Sequence, residues 1–340
     1  MKIALLCNGY GLVNRGSERF SSDFKAHMDK YNTVDIIGVK DTETKTRNDY
    51  RIPWRNGKAY LESYNFGKKL YQNHTLDDYD VILNNSGFPC SKWCAKQRKR
   101  SGTPFITRAR GGGYEEHLSA HYKPDVMIFS TCYHRNMILR FRNQHSQIIP
   151  NAIDPLTKDK VPLPEKYKHL ERPLFLSTSA LVGFKRIPLM IDALKHYGKG
   201  TIIQTSDGSS RDNILEHAKK TIGDKFYYIG KIPDDELYAL YDNCDAYLHA
   251  ANDDCFPNTY LEAMAHGLPL IVQSTSRSKE ILGNTAIYVD CKNAKEFASA
   301  MDVIKIDNWE WEERIKRQLS FYTWERVIDL YNRIIDEVTQ

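Results

Sequence analysis

Short apolar runs alternate with helix-patterned stretches along this chain, and the whole series occurs twice. Lys2 to Cys7, Val34 to Val39, Val81 to Leu83, Pro104 to Ile106, Val126 to Phe129 and Gln147 to Ile149 form the first series, with helices such as Glu18 to Lys30 between them. After a charged, proline-bearing stretch from Pro155 to Pro173, the pattern restarts with Leu174 to Ser177, Thr201 to Gln204, Phe226 to Ile229, Ala246 to Leu248, Leu270 to Val272 and Ala286 to Val289. Runs this short, with no polar alternation, read as strands buried on both faces, which is the pattern of parallel sheets covered by helices. The expected fold class is therefore α/β, with two doubly wound, Rossmann-like domains at 1–154 and 155–320. The ligands of such sheets bind at the carboxyl ends of the strands. A closing amphipathic helix is expected within 321–340, its apolar stripe running through Val327, Leu330, Ile334 and Val338, so that one face must be buried.

One stretch carries more chemistry than the rest, Asp254 to Pro269, which reads DCFPNTYLEAMAHGLP. Pro257 marks a helix start, and Gly267 with Pro269 marks its stop. Backbone amides at such a start point outward without intrahelical partners, so Phe256, Pro257, Asn258 and Thr259 form a candidate phosphate cradle. Glu262 lies one to two turns further in and is placed to grip vicinal hydroxyls. An amphipathic helix with Leu261, Met264 and Ala265 packed inward and its acids in water has the same spacing, so the local pattern alone leaves both open.

Composition bounds the function without selecting it. At 340 residues, 41% apolar and 27% charged, the chain is of ordinary globular make-up and long enough for two domains. A net charge of +5 with pI near 8.6 allows attraction to nucleotides, phospholipid headgroups or anionic glycans; nucleic acid is not indicated. The seven cysteines are scattered with no CxxC pair, which predicts reduced thiols in a cytoplasmic compartment and no zinc site. The apolar run Ile3 to Cys7 is far short of a signal-peptide core, and no run approaches the ~20 apolar residues of a spanning helix. A protein that is soluble, or peripheral on a membrane, is expected; the basic run Lys96 to Arg100 reads as a solvated helix end rather than a membrane patch.

The Asp254 to Pro269 run resembles the EGFPNVLLEAMAxGxP signature of the retaining GT-B glycosyltransferases, glycosyltransferase family 4 in particular. There, two acids separated by seven residues bind the nucleotide-sugar donor; here they are Asp254 and Glu262, the first shortened from glutamate to aspartate. Further segments carry the likeness across most of the chain. Arg15 to Phe20 is similar to the family's GGxER segment, in which a glycine, here Gly16, lets backbone approach the donor phosphates. Ile148 to Pro155 is similar to its IPNGID hinge. Tyr228 to Pro233 is similar to the FLGxVP loop, whose backbone at the position of Ile232 meets the base. Ser177 to Leu194 is similar to the strand-loop-helix that supplies an arginine and a lysine to the pyrophosphate: Lys185 matches the lysine, but the arginine position falls on Ala180. Arg186, or Arg108 and Arg110 from the first domain, are the candidates to replace that cation or to meet an anionic acceptor.

The resemblance implies a GT-B fold in which two domains face a cleft and the last helix crosses back to the first domain. It implies a retaining transferase that moves a sugar from a UDP- or GDP-sugar to a hydroxyl of a glycan or lipid-linked acceptor. Lys185, Arg186, Asp254 and Glu262 are the candidate catalytic residues. No cofactor beyond the donor and no metal are expected, fixed cations taking the metal's place against the leaving diphosphate; Asp253 with Asp254 is the nearest alternative metal site. Three rivals stand beside this reading. A sugar-nucleotide 2-epimerase shares the fold. A non-catalytic glycan-binding scaffold is suggested by Ala180 and Asp254. A dehydrogenase is suggested by Gly9 to Asn14, a dinucleotide fingerprint whose third glycine is replaced by Asn14.

Overall fold

The computed structural model describes residues 1–12, 16–46, 49, 55–109, 115–140, 142–154, 160–303 and 309–340. Asn14 and Arg15, Arg110 with the glycines after it, and Pro155 lie outside the described residues. The chain divides into two compact units, residues 1–151 with 324–340 and residues 152–323.

The first unit alternates β1 (Lys2–Leu6), α1 (Gly16–Met28), β2 (Thr33–Ile37), α2 (Arg55–Gln72), β3 (Val81–Asn84), α3 (Phe88–Ser101), β4 (Phe105–Arg108), α4 (Glu115–His121), β5 (Val126–Phe129), α5 (Cys132–Leu139) and β6 (Ser146–Ile148). The strands form one parallel sheet in the order β2-β1-β3-β4-β5-β6. The middle strands β3, β4 and β5 are buried along their whole length, which is why they read as unbroken apolar runs. The basic end of α3 is held at the surface: Arg98 pairs with Asp125 at 2.9 Å and Arg100 with Asp77 at 2.6 Å.

The second unit follows with β7 (Leu174–Ser177), α6 (Ile187–Tyr197), β8 (Thr201–Thr205), α7 (Arg211–Thr221), β9 (Phe226–Gly230), α8 (Asp234–Asn243), β10 (Ala246–His249), α9 (Asn258–Ala265), β11 (Leu270–Gln273), α10 (Ser276–Leu282), β12 (Ala286–Val289), α11 (Ala294–Asp302) and α12 (Trp309–Leu319). Its strands are also parallel, in the order β12-β11-β10-β7-β8-β9. Side chains alternate across the sheet, so that Leu174 and Leu176 of β7 face one core with Leu240, Tyr241 and Leu261, while Phe175 faces another with Ile187, Met190 and Leu194. The proline-bearing stretch is not a free linker: Tyr167 is 1% exposed, and the Val161 amide donates to Asp242 at 2.8 Å. Its apolar anchors are too widely spaced to show any period, which is why it resembles a connector.

The last helix, α13 (Trp324–Thr339), belongs to the first unit. Its buried face is Trp324, Val327, Ile328, Tyr331, Ile334 and Ile335, with Leu330 and Val338 only half-buried at its flanks. The stripe is turned from the expected one because the large aromatic residues take the contact, with Tyr331 edge-on to Phe24 at 4.9 Å and Trp324 against Phe20 at 5.8 Å. Among the described residues no helix is long and apolar enough to cross a membrane.

In the second unit, the loops leaving β7 and β8 are stitched together: the Leu181 amide donates to Asp207 O at 3.2 Å, and the Ser210 amide to Leu181 O at 2.9 Å. Gly208 makes this approach fit, because a Cβ there would lie 2.3 Å from Leu181 O. Gly208→Ala must push the two backbones apart, at a cost of about 1–3 kcal/mol by analogy with overpacked cores. A fall in Tm of several degrees is expected in a thermal melt, and an unchanged Tm would show that the loops have room to spare.

Candidate functional site in the second unit

The sheet order reverses between β7 and β10: β8 and β9 lie to one side of β7, and β10, β11 and β12 to the other. Loops leaving the carboxyl ends of these two strands diverge, and a crevice at such a reversal is where doubly wound sheets take their ligands. Lys185 follows β7, and Asp254 and α9 follow β10.

Helix α9 begins one residue later than expected. Pro257 is its extended N-cap, with no side-chain cap hydrogen bond, and Asn258 is its first helical residue. The stop is a Schellman motif: the Leu268 amide donates to Ala263 O at 2.9 Å and the Gly267 amide to Met264 O at 2.9 Å, with Gly267 at φ +70°. Tyr260, Leu261, Ala263 and Met264 are buried and hold the helix to the core, while Glu262 is half-buried. The Glu262 carboxylate is not left to solvent, since the hydroxyl of Tyr241 on α8 donates to its Oε2 at 2.9 Å.

Asp254 is held from two directions. Lys185, in a short helical turn at Gly183–Lys185, hydrogen-bonds to its Oδ2 through Nζ. The two side chains are only 14% and 23% exposed, which sets the pair apart from solvent-screened surface bridges. His249, at the end of β10 and 1% exposed, places Nε2 3.3 Å from the same oxygen, and its Nδ1 lies 2.9 Å from the Tyr260 hydroxyl. Burial holds His249 below the usual histidine range against the pull of Asp254, so the ring is neutral at pH 7. A neutral ring facing a carboxylate must carry its proton on Nε2, which leaves Nδ1 to accept from Tyr260. Burial also raises the Tyr260 pKa well above its ordinary value, keeping its hydroxyl a donor. For Asp254 itself, burial pushes the pKa up, but the His249 hydrogen bond and the Lys185 charge outweigh it and bring it down to about 2.

The other expected residues divide. Arg186 adopts a left-handed backbone at φ +55°. Its guanidinium donates to Asn252 Oδ1, to Gln273 Oε1 at 3.2 Å and to the Cys291 carbonyl, so it ties together the loops after β7, β10 and β12. The buried cation that sequence reasoning missed is Arg277 on α10, whose side chain is 9% exposed and bonded to Asp253 Oδ1, with Cys255 Sγ at 3.7 Å. Arg277 thus anchors both neighbours of Asp254, and Asp253 is paired with an arginine rather than turned toward Asp254. Among the described residues no group of three or more His, Cys, Asp or Glu side chains is arranged to hold a metal.

Phe256 turns its ring into the core against Tyr322, with centroids 5.7 Å apart, so that only its backbone is available to a ligand. Thr259 hydrogen-bonds Tyr247, and Ile232 packs half-buried on the same core. In the first unit, Gly16 is the exposed first residue of α1. Arg108 is committed within that unit: it is 6% exposed, lies 3.8 Å over the Phe20 ring and hydrogen-bonds Asn151 Oδ1. Arg110 lies outside the described residues.

A carboxyl depressed from its ordinary value of 3.8 to about 2 adds stability that is complete above pH ~4 and is lost as pH falls through about 2. By linkage this amounts to about 2 kcal/mol at neutral pH. The 13C carboxyl resonance of Asp254 is therefore expected to stay flat down to pH 3 in the wild type. In Lys185→Met it should titrate between pH 3 and 5. An ordinary midpoint near pH 4 in the wild type would sink this account of the pair.

Residues 162–319 match the family model of Glycosyl transferases group 1. A search of curated protein sequences finds no match. Among solved structures, sucrose-phosphate synthase from Thermosynechococcus elongatus is similar over 99% of this chain and 98% of its own, with a TM-score of 0.82 at 15% identity. The lipopolysaccharide outer core galactosyltransferase WaaB, in its apo form, is similar over 99% of each chain with a TM-score of 0.70 at 18% identity. Anabaena HepE in complex with UDP-glucose is similar over 99% of this chain and 98% of its own with a TM-score of 0.75 at 15% identity. At such identities the likeness speaks to fold. The chain has the α/β GT-B fold of two doubly wound domains, and residues 162–319, within its second unit, are similar to the glycosyl transferases group 1 model.

Proposed function

We propose that the chain is a retaining glycosyltransferase of the family 4 type, transferring a sugar from a UDP- or GDP-sugar to a hydroxyl of a glycan or lipid-linked acceptor. The observation that carries this reading is the convergence of Lys185, Asp254 and the Glu262-bearing helix at the β7/β10 reversal. A helix start with no side-chain cap suits a phosphate, a lysine ammonium suits a diphosphate, and a carboxylate one turn in suits vicinal hydroxyls. The likeness to HepE, solved with UDP-glucose, makes UDP-sugars the first donors to test.

In this reaction the bond between the anomeric carbon and the diphosphate oxygen breaks, and negative charge grows on the leaving diphosphate. Lys185 meets that charge. Its ammonium has three donors, so it can keep one on Asp254 while turning another to phosphate. The leaving phosphate accepts the proton of the acceptor hydroxyl as the new bond to the anomeric carbon forms on the same face. Asp254, fixed by His249, orients the sugar, and Glu262 holds the ribose. With the diphosphate charge met by a fixed cation, the reaction proceeds without a divalent metal.

Lys185→Ala should lower turnover about a hundredfold or more, because the charge it removes matters most in the transition state. Wild-type transfer should survive EDTA. The assay follows nucleoside diphosphate release from UDP- and GDP-sugars with candidate acceptors. Transfer that EDTA abolishes, or a Lys185→Ala variant retaining more than half of wild-type turnover, would remove Lys185 as the group that meets the charge. A donor epimerised without any acceptor would move the chain to the epimerase reading.

A further inference from the structure

The Tyr241 hydroxyl that donates to Glu262 is part of a larger buried array. Tyr241 is 1% exposed, and its ring stacks with His266, at 5.2 Å and 17°, and with Tyr247, at 5.9 Å and 26°. His266 is itself fixed by Asp242 at 2.7 Å, and Asp242 by the Val161 amide at 2.8 Å. Thr178, the first residue after β7, places Oγ1 3.3 Å from the Tyr241 hydroxyl and 2.9 Å from that of Tyr247, which also meets Thr259. Four hydroxyls from β10, α8, α9 and the loop after β7 thus stand behind one carboxylate, and that of Tyr241 donates to it.

A glutamate on an eight-residue helix has three side-chain torsions to settle before it can meet two hydroxyls of a ribose at once. A buried donor stacked on two other rings removes much of that freedom. Because burial and the Glu262 charge keep its proton on, the Tyr241 hydroxyl can only donate to the carboxylate. It therefore takes one lone pair of Oε2 and sets the plane of the group.

We propose that Tyr241 is the positioning residue that orients Glu262 toward the ribose hydroxyls, and that through it the site distinguishes ribonucleotides from deoxyribonucleotides. This rests on the reading that Glu262 meets the ribose. A site built to hydrogen-bond a hydroxyl rejects the analogue that lacks it, provided the site's own group cannot turn to another partner. Tyr241 holds Glu262 against such a turn.

The test is calorimetric titration of the wild type, Tyr241→Phe and Thr178→Val with UDP, GDP and their 2′-deoxy and 3′-deoxy counterparts. The wild type should bind the ribonucleotide ~10-fold or more tighter than at least one deoxy form. Tyr241→Phe, melting at the wild-type temperature, should lose ~5-fold or more of that preference by weaker ribonucleotide binding, with deoxynucleotide binding unchanged. Thr178→Val should shift the preference the same way by less. A folded Tyr241→Phe that keeps the wild-type preference overturns the proposal. Should that variant not fold, an unchanged preference in Thr178→Val overturns it. If the wild type binds ribo and deoxy forms equally, the Glu262 and Tyr241 roles fall while nucleotide binding stands. If it binds neither diphosphate, the proposed function falls with them.

Discussion

Everything in the candidate site depends on one ladder, the parallel pairing of β7 with β10, in which Phe175 lies opposite Ala246 and Leu176 opposite Tyr247. Two strands some seventy residues apart in sequence are held at the spacing of neighbouring strands, ~4.8 Å. The segments that leave their carboxyl ends then have no choice but to face each other. Lys185 meets Asp254, Thr178 meets Tyr247, and Arg186 meets Asn252 across this junction. The ladder itself uses only backbone groups and apolar side chains, so the chemistry above it can vary without cost to the sheet.

The ion pair at this junction is expensive to bury and is maintained by its surroundings. Two partly desolvated charges lose hydration that their mutual attraction only partly returns. His249 brings Nε2 to 3.3 Å from the same oxygen, and Tyr260 holds its other nitrogen at 2.9 Å. Arg277 and Arg186 then hold the loop by its other residues, Asp253, Cys255 and Asn252. A shortened acid at position 254 is therefore not a loose one. Its carboxylate is aimed by four side chains outside the motif that identified it.

How much of this was legible follows from where polarity falls along the strands. All twelve strands were visible as apolar runs because parallel strands covered on both faces have no solvent side. Several runs stopped a residue or two short, and the polar residues omitted were Asn84, Thr107, Arg108, Thr205, His249 and Gln273, all still within the ladders. These are carboxyl-terminal strand residues, so in the second unit the criterion that finds buried strands discards the strand ends from which the site's loops leave. His249 was lost in this way. The Asp254 to Pro269 motif and Lys185 were legible because their spacing is local. Tyr241 and Arg277 were not, since nothing in an amphipathic helix pattern distinguishes a tyrosine that packs from one that also donates to a carboxylate 21 residues away. Arg186 was legible as a cation beside Lys185, but its left-handed backbone and its three oxygen partners were not, since those partners lie in segments 66 to 105 residues away.

The return of α13 to the first unit also orders events during synthesis. Phe20 and Phe24 of α1 are covered by Trp324 and Tyr331, residues made only after the whole of the second unit. Domains usually fold in the order they emerge. Here the second unit, continuous from 152 to 323, can finish first, while the first waits with an aromatic face of α1 uncovered for some 170 residues of translation, about 10–30 s at ordinary elongation rates. A nascent chain of this kind keeps an apolar face open to aggregation until Trp324 and Tyr331 of α13 have been made.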